Sequence, residues 1–262
     1  MDIAVLLGVV QGVTEWLPIS SEGAVAVAYS LLRDTSLSEA VAYALWLHLG
    51  TAFSALVAFR GQVQGLIKEV ASSPLAPSPL LRFLVAATLI SAAIAVPLLL
   101  LLDELSERMG ASAMVIVGVL LLFTGAAQLR GRSNGVRGLA SVSLKDALLC
   151  GVFQGVAVLP GLSRSGLTVA VLLARRLDRR ESLILSFLLS IPAGLGAALF
   201  TYFRDNALMG MEGIVASVVA FLVGLLSIRV LLRLAERVNF APFVLSVGVL
   251  MIAGAVLVLA QV

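Results

Sequence analysis

Six long apolar stretches alternate along this chain with short polar segments, and each has about the length of a membrane-spanning helix. About 20 consecutive apolar residues are needed to cross a bilayer as an α-helix. The predicted spans are residues 42–59, 80–102, 112–129, 183–203, 213–232 and 242–260. The pattern therefore predicts an all-α polytopic membrane protein.

Two further apolar regions, residues 3–32 and 147–173, are each interrupted in the middle by proline, glycine and serine. The interruptions occupy residues 17–23 (LPISSEG) and 159–166 (LPGLSRSG). Neither flank is long enough to span alone, and broken backbone at membrane depth is tolerated only where it is buried in protein or lines a polar cavity. Each region is therefore predicted to form a re-entrant helical hairpin.

The two interrupted regions also resemble each other. At an offset of 143 residues and without gaps, residues 8–23 and 151–166 share seven of sixteen positions, including a glutamine, a serine and three glycines. The chain is thus predicted to be one integral membrane domain, 1–262, with two repeats, 1–132 and 145–262, each containing one hairpin and three spans. Because three spans is an odd number, the second repeat enters from the opposite face. Such an inverted-topology repeat places functional groups near the midplane, at the repeat interface.

Composition and charge agree with a bilayer as the solvent. Hydrophobic residues make up 60% of the chain and charged residues 13%, against about 25% charged residues in soluble domains. The predicted topology places three basic residues on one face, Arg33, Arg108 and Arg204, and fourteen on the other. The positive-inside rule makes the basic face cytoplasmic and both termini external to a cell membrane. The net charge of +3 lies in such loops and indicates no nucleic-acid partner.

Three ionisable residues lie inside the interrupted regions instead of at span ends: Glu15, Glu22 and Arg164. An ionisable group at that depth is costly unless it is paired or wet, which makes each a candidate functional group. The alternative interpretation is a structural Glu–Arg pair that only joins the two hairpins.

The residue types around these charges favour an anion pocket. An arginine fork suits the oxygens of a phosphate, and exposed backbone N–H groups at hairpin tips add further anion contacts. Short hydroxyl donors stand beside them at Ser20, Ser21, Ser163, Ser165 and Thr168. We expect the two breaks to meet in one cavity that is open to the membrane, with Glu15 as a base and a lipid-borne phosphate as the ligand.

These motifs resemble a known family. Residues 11–21 (QGVTEWLPISS) and 160–166 (PGLSRSG) closely resemble the undecaprenyl-diphosphate phosphatase family, also called the bacitracin-resistance family, and the resemblance extends over the whole chain. That family removes the terminal phosphate from a long isoprenyl diphosphate at the outer face of the membrane, which recycles a lipid carrier for cell-wall glycans. The resemblance implies the same hydrolase reaction on an isoprenyl diphosphate lipid here, with Mg²⁺ or Ca²⁺ as the cofactor.

The resemblance also implies roles for individual residues. Gln11 and Glu15 fall on the family's Glu/Gln-x-x-x-Glu motif, Ser21 on its proposed nucleophile and Arg164 on its phosphate-binding arginine. The expected catalytic residues are therefore Glu15, Ser21 and Arg164, and the expected metal ligands are Glu15 and Glu22. The expected substrate-binding residues are Gln11, Ser20, Glu22, Ser163, Ser165, Gly166 and Thr168.

One departure from the family pattern affects proton transfer. Where the family commonly has a histidine after the glycine of its Ser-Ser-x-Gly stretch, this chain has Ala24. Glu22 is a candidate to compensate, and His48, the single histidine, is interpreted first as a packing or hydrogen-bonding residue and second as a catalytic one. A non-enzymatic polyprenyl-phosphate flippase or transporter is the alternative function, because inverted repeats with broken helices are a transporter architecture. The sequence leaves the oligomeric state open, a homodimer included.

Overall fold

A computed structural model describes residues 1–109, 112–130, 135–204 and 210–259 of the chain. Over these ranges the secondary structure is helical, apart from one isolated β-bridge between Arg137 and Leu177. In chain order the helices are α1 (Asp2–Thr14), α2 (Ser21–Arg33), α3 (Leu37–Ala58), α4 (Arg60–Ser72), α5 (Pro79–Met109), α6 (Ser112–Arg130), a 3₁₀ turn (Leu139–Ser141), α7 (Leu144–Val156), α8 (Arg164–Ala174), α9 (Arg179–Arg204), α10 (Met211–Arg237) and α11 (Ala241–Leu259). The all-α prediction is confirmed.

Among the described residues, four helices are long and apolar enough to cross a membrane by length and composition. They are Leu37–Ala58, Pro79–Leu102, Arg179–Arg204 and Met211–Leu234, in α3, α5, α9 and α10, and they coincide with four predicted spans. The other two predicted spans coincide with α6 and α11, which are 19 residues long each. Residue 260, at the end of the last predicted span, and residues 131–132, at the end of the first predicted repeat, lie outside the described residues.

Both interrupted regions are divided into two short helices. Residues 15–20 separate α1 from α2, and residues 157–163 separate α7 from α8. Within each pair the two helices pack against each other. Residues 3–32 and 147–173 therefore do not form continuous helices, in agreement with the proline, glycine and serine in the middle of each.

The second helix of each pair begins with the same cap. Ser20 Oγ accepts a hydrogen bond from the backbone N–H of Gly23 at 3.1 Å, and Ser163 Oγ accepts one from Gly166 at 3.1 Å. A serine in this position satisfies one of the donors that a helix start leaves unpaired. The serine and the glycine that the two segments share at an offset of 143 therefore have the same local role.

Shared glycines also bring the first helix of each pair close to a neighbouring helix. A Cβ on Gly8 of α1 would lie 2.5 Å from the carbonyl oxygen of Ala216 in α10. A Cβ on Gly151 of α7 would lie 2.9 Å from the carbonyl oxygen of Ala87 in α5. Small residues at helix crossings allow backbones to approach closely. Helix packing thus accounts for the glycines that the two segments have in common.

α4 is a helix that the hydrophobic pattern did not predict. Arg60 and Lys68, two of the fourteen basic residues on the predicted cytoplasmic face, lie on this helix. None of its residues is buried, and its apolar residues Ile67 and Val70 are exposed. Its sequence lacks a long apolar run because charged residues and glutamine are interleaved with its apolar positions.

Asp146 is a buried acid at the start of α7. Its carboxylate accepts hydrogen bonds from Arg137 Nη2 at 2.8 Å and from Arg175 Nε at 2.6 Å. It also accepts from the backbone N–H of Ser143, which closes a capping box at the start of α7. These contacts fasten the segment between the two halves of the chain to the end of α8, so this acid has a structural role.

Candidate active site

Trp16 holds the first interruption in the protein interior. The ring is fully buried, meets Phe187 edge-on with centroids 5.3 Å apart, and donates a hydrogen bond from Nε1 to the carbonyl oxygen of Gly224 at 3.1 Å. Glu15 directly precedes it and is 3% exposed. The sequence therefore places a carboxylate inside the helix bundle at the point where α1 ends.

The second interruption lies directly against the first. Ser20 Oγ accepts a hydrogen bond from the backbone N–H of Gly161 at 3.2 Å, and Ser165 Oγ donates to the carbonyl oxygen of Leu17 at 2.9 Å. Gly161 has a φ of +100°, which favours glycine, and a Cβ there would lie 2.4 Å from the carbonyl oxygen of Val117. Direct hydrogen bonds thus join two segments that are far apart in the sequence.

An ion pair between Glu15 and Arg164 lies at the centre of this junction. Arg164 Nη2 donates to Glu15 Oε1, and Arg164 Nη1 donates to the carbonyl oxygen of Ser186 at 3.1 Å. The two side chains are 2% (Glu15) and 14% (Arg164) exposed. Removal of one partner of such a buried pair leaves the other charge uncompensated. The Glu15–Arg164 pair that a purely structural role requires is therefore present. An experiment must separate this structural role from a catalytic one.

The second carboxylate oxygen of Glu15, Oε2, has three further contacts. Ser21 Oγ donates to it at 2.7 Å and Gln11 Nε2 at 3.0 Å, and His48 Nε2 lies 3.3 Å away. The Ser21 hydroxyl is the nearest of these groups. A carboxylate in hydrogen-bonding contact with a hydroxyl is placed to accept its proton.

His48 reaches Glu15 from α3. Its Nδ1 lies 2.8 Å from the carbonyl oxygen of Ala44, one turn earlier in the helix. A carbonyl oxygen can only accept, so Nδ1 carries a hydrogen and Nε2 is the ring atom that faces the carboxylate. The contact gives the hydrogen-bonding interpretation of this histidine a specific partner. The resemblance to the family includes the segment around this histidine, residues 47–51 (LHLGT), but α3 is an uninterrupted apolar helix in which nothing else marks it.

A small polar cavity of about 20 Å³ lies between the two breaks, with room for about one water molecule. Six of the residues that the sequence singles out line it: Glu15, Ser21, Glu22, Ser163, Arg164 and Ser165. His48, Ile19, Ala157 and Leu162 complete the wall. The residues with charged and hydroxyl groups thus converge from both breaks on one point.

The other four predicted site residues do not line this cavity but contact the residues around it. Gln11 acts through its hydrogen bond to Glu15, and Ser20 and Gly166 take part in the two helix caps. Thr168 Oγ1 donates to the carbonyl oxygen of Arg164 at 2.8 Å. The structure does not bring these four residues to the cavity surface, because their polar atoms form hydrogen bonds with other protein groups.

Glu22 differs from Glu15 because one of its carboxylate oxygens accepts no hydrogen bond among the described residues. The residue is 6% exposed, and its Oε1 is buried without a hydrogen-bond partner among the described residues. Among the residues that the structure describes, no group of three or more His, Cys, Asp and Glu residues is arranged to hold a metal ion. Protein side chains of these types therefore supply at most part of a metal coordination shell here.

A larger cavity of about 160 Å³ adjoins the polar one. Glu22, His48, Ala157 and Arg164 line both cavities, so the two lie on either side of these four residues. Most other residues that line the larger cavity are apolar and come from α3, α5 and α9. The polar site thus has an apolar extension.

The fold and the site together define an all-helical membrane protein with a buried carboxylate, serine and arginine at the junction of two broken helix pairs. The sequence profile of the family described as bacitracin resistance protein BacA matches residues 4–255. The chain belongs to this family, and the resemblance inferred from the motifs is confirmed.

Individual relatives agree with the profile. A protein of Methanococcoides burtonii named undecaprenyl-diphosphatase is 38% identical over 254 residues, which cover 94% of this chain and 95% of that protein. A protein of Haloarcula marismortui with the same name is 39% identical over 271 residues, 98% and 97% of the two chains. A third, from Saccharolobus solfataricus, is 35% identical over 267 residues, 97% and 95% of the two chains. The similarity therefore extends over whole proteins.

Proposed function

We propose that this chain hydrolyses an undecaprenyl-type isoprenyl diphosphate and releases phosphate to leave the lipid monophosphate carrier. The observation that carries the proposal is the contact of Glu15 with both the Ser21 hydroxyl and the Arg164 guanidinium. The relatives named undecaprenyl-diphosphatase support it. The names of these relatives also favour an enzyme over a flippase. The hydrogen bond from the Ser21 hydroxyl to Glu15 favours an enzyme as well, because binding alone does not require it.

Arg164 binds the diphosphate in this proposal. Its planar fork suits two phosphate oxygens at once, and it lines both the polar and the apolar cavity. The bound phosphate replaces Glu15 as the partner of Arg164, which leaves the carboxylate free to act as a base. Charge stabilisation of this kind supplies most of the acceleration in phosphoryl transfer.

Ser21, or a water molecule in its place, attacks the terminal phosphorus while Glu15 accepts the proton of the attacking group. The bond from that phosphorus to the bridging oxygen breaks, and the lipid monophosphate leaves with the electron pair. Where Ser21 is the nucleophile, water then hydrolyses the phosphoserine and restores the enzyme. The 2.7 Å contact between Ser21 Oγ and Glu15 supports the first proton transfer.

The test is phosphate release from undecaprenyl diphosphate by the purified protein in detergent. We expect release that depends on a divalent cation and is lost in Glu15→Gln. Lipid binding without release would overturn the phosphatase and support the flippase. The mass of the same detergent complex distinguishes a monomer from a homodimer.

The proposed arrangement in the cell membrane is six spans and two re-entrant hairpins in two inverted repeats, with both termini outside. Equivalent contacts in the two halves support it: α1 packs on α10 as α7 packs on α5, while α3 meets α9 and α6 meets α11. The matching serine caps at Ser20 and Ser163 support it as well. Labelling of single cysteines at the two termini, in a chain without Cys150, tests the orientation. Termini labelled from the cytoplasm would contradict it.

A divalent cation fits the site only in part, and Glu22 is the residue that would hold it. Its Oε1 is buried without a partner, whereas both oxygens of Glu15 already have contacts. Mg²⁺ is often bound by one or two carboxylates plus substrate phosphates. Such an ion would neutralise charge on the diphosphate, and the substrate would complete its ligand set.

Glu22→Gln is therefore expected to raise the Mg²⁺ concentration for half-maximal activity by about tenfold or more, since loss of an interaction at a metal site commonly costs that much affinity. Activity measured over a series of Mg²⁺ concentrations after chelator treatment checks this. The matched control is Asp146→Asn, a buried acid that does not line either cavity of the site. An unchanged cation requirement in Glu22→Gln would contradict a ligand role.

His48 is expected to position Glu15. His48→Ala removes the contact of Nε2 with Glu15 Oε2, and we expect kcat to fall by about tenfold to a hundredfold with a smaller change in KM. His48→Gln keeps a side-chain N–H that can donate to Glu15 and is expected to recover part of that loss. Equal kcat values for the two variants, at equal thermal stability, would contradict the positioning role.

A further inference from the structure

The larger cavity of about 160 Å³ lies between α5 and α9, and each helix presents one stripe of residues to it. The positions within each stripe are three or four residues apart, which places them on one helix face. The α5 stripe is Ala92, Ala95, Val96 and Leu99, and the α9 stripe is Ala193, Gly196, Ala197 and Phe200. Small residues therefore predominate where the two helices face each other across the cavity.

The cavity reaches the outer surface of the bundle along these stripes. Val96 is 42% exposed, and Ala92 and Gly196 are exposed as well. All three also line the cavity. Because α5 and α9 are both helices of membrane-spanning length and composition, the surface around these residues is surrounded by lipid chains.

At its inner end the cavity meets the polar site through Glu22, His48 and Arg164. Two adjoining cavities thus place the cationic, hydroxyl-rich site next to an apolar opening at the level of the bilayer. Interior prolines stand next to this opening on both helices, Pro97 in α5 and Pro192 in α9. A proline inside a helix removes one backbone hydrogen bond and bends the helix, which hinders close packing of the two.

We propose that the opening between α5 and α9, formed by Ala92, Val96 and Gly196, is a window through which the isoprenyl chain of the substrate passes from the site into the bilayer. The inference rests on the proposed function. The diphosphate lies at Arg164, and the first part of the isoprenyl chain fills the apolar cavity. The rest of the chain stays in lipid.

The size of the cavity sets what it holds. An apolar cavity of roughly 150 Å³ accommodates a benzene ring, so about 160 Å³ is room for about one five-carbon isoprene unit. A chain of many units must therefore leave through the window. It follows that the enzyme distinguishes the first unit from other groups but distinguishes little between chain lengths beyond it.

Gly196 offers a position at which a side chain can be added to block the window, because a Cβ there meets no atom within 4 Å. Gly196→Trp is expected to raise KM for undecaprenyl diphosphate by about tenfold or more, since filling a hydrophobic pocket changes selectivity by one to two orders of magnitude. Gly254→Trp in α11 is the matched control, because a Cβ at Gly254 also meets nothing within 4 Å. An unchanged KM in Gly196→Trp would overturn the window.

A second measurement does not depend on turnover. In a chain without Cys150, we expect undecaprenyl diphosphate to slow modification of Ala92→Cys by a membrane-soluble maleimide at least about threefold, as expected from mass action when most sites are occupied, and to leave Gly254→Cys unaffected. Hydrolysis by the parent protein without protection at position 92 would overturn the window and leave the proposed function standing. Protection at position 92 without any hydrolysis would support the window and overturn the phosphatase.

Discussion

Arg164→Ala is expected to lower turnover on undecaprenyl diphosphate by at least about two to three orders of magnitude. Loss of one preorganised donor to developing charge costs about that much in other enzymes, and an arginine in phosphoryl transfer is worth as much or more. The structure places this guanidinium at the wall of both cavities, where a phosphate can reach it. Phosphate release per folded molecule, measured in detergent, checks the prediction.

The contact of Arg164 with Glu15 requires a control, because the pair also joins the two breaks. Removing one partner of a buried ion pair costs about 3–5 kcal/mol of stability, so a loss of activity in Arg164→Ala alone does not separate binding from folding. The double variant Glu15→Gln, Arg164→Ala leaves no buried charge at this position. We expect it to regain stability relative to Arg164→Ala and to remain inactive.

Arg164→Lys also distinguishes a phosphate-binding role of this residue from a structural one. Lysine keeps the charge that a structural pair needs but lacks the planar fork that holds two phosphate oxygens. We expect near-normal thermal stability with little recovery of turnover. A lysine variant with most of its activity would show that the residue acts as a charge that joins the breaks, and the phosphate-binding role would be withdrawn.

The features that the sequence predicts best are those with a local signal. Four of the predicted spans coincide with helices of membrane-spanning length and composition, because about 20 apolar residues in a row have few other uses. Both breaks appear where proline, glycine and serine interrupt an apolar run. Glu15 and Arg164 are conspicuous in the sequence because a charge inside such a run needs a partner or water.

The features that the sequence does not predict depend on packing between distant elements. His48 lies in the uninterrupted helix α3, and only the packing of α3 against α1 and α2 brings it to Glu15. Asp146 reads as an ordinary charge at a helix start, yet Arg137 and Arg175 bury it from two directions. Ser20 resembles its neighbour Ser21 in sequence, and only the backbone geometry assigns one to a helix cap and the other to Glu15.

The ion pair and the small polar cavity together imply that the site proposed here rearranges when it binds the diphosphate. A volume of about 20 Å³ holds about one water molecule, which is too little for a diphosphate. In the proposed mechanism the substrate separates Glu15 from Arg164. The new contacts of the phosphate with Arg164 offset the cost of separating them, and Glu15 is then free to act on Ser21. Glu15 is then paired with Arg164 in the absence of substrate and acts on Ser21 when the phosphate is bound.

Glu15→Gln is expected to lower kcat by about two to four orders of magnitude, the contribution of a positioned general base. The amide has the shape of the carboxylate and can still contact Ser21 and Gln11, but it cannot take the proton that the 2.7 Å contact with Ser21 Oγ offers. Asp146→Asn is the matched control, because Asp146 is equally buried and likewise paired with arginine. Both variants remove the carboxylate partner of at least one arginine and are expected to lose thermal stability. Only Glu15→Gln is expected to lose turnover per folded molecule. Equal losses of turnover in the two variants would mean that Glu15 supports the fold and that the proton acceptor is another group.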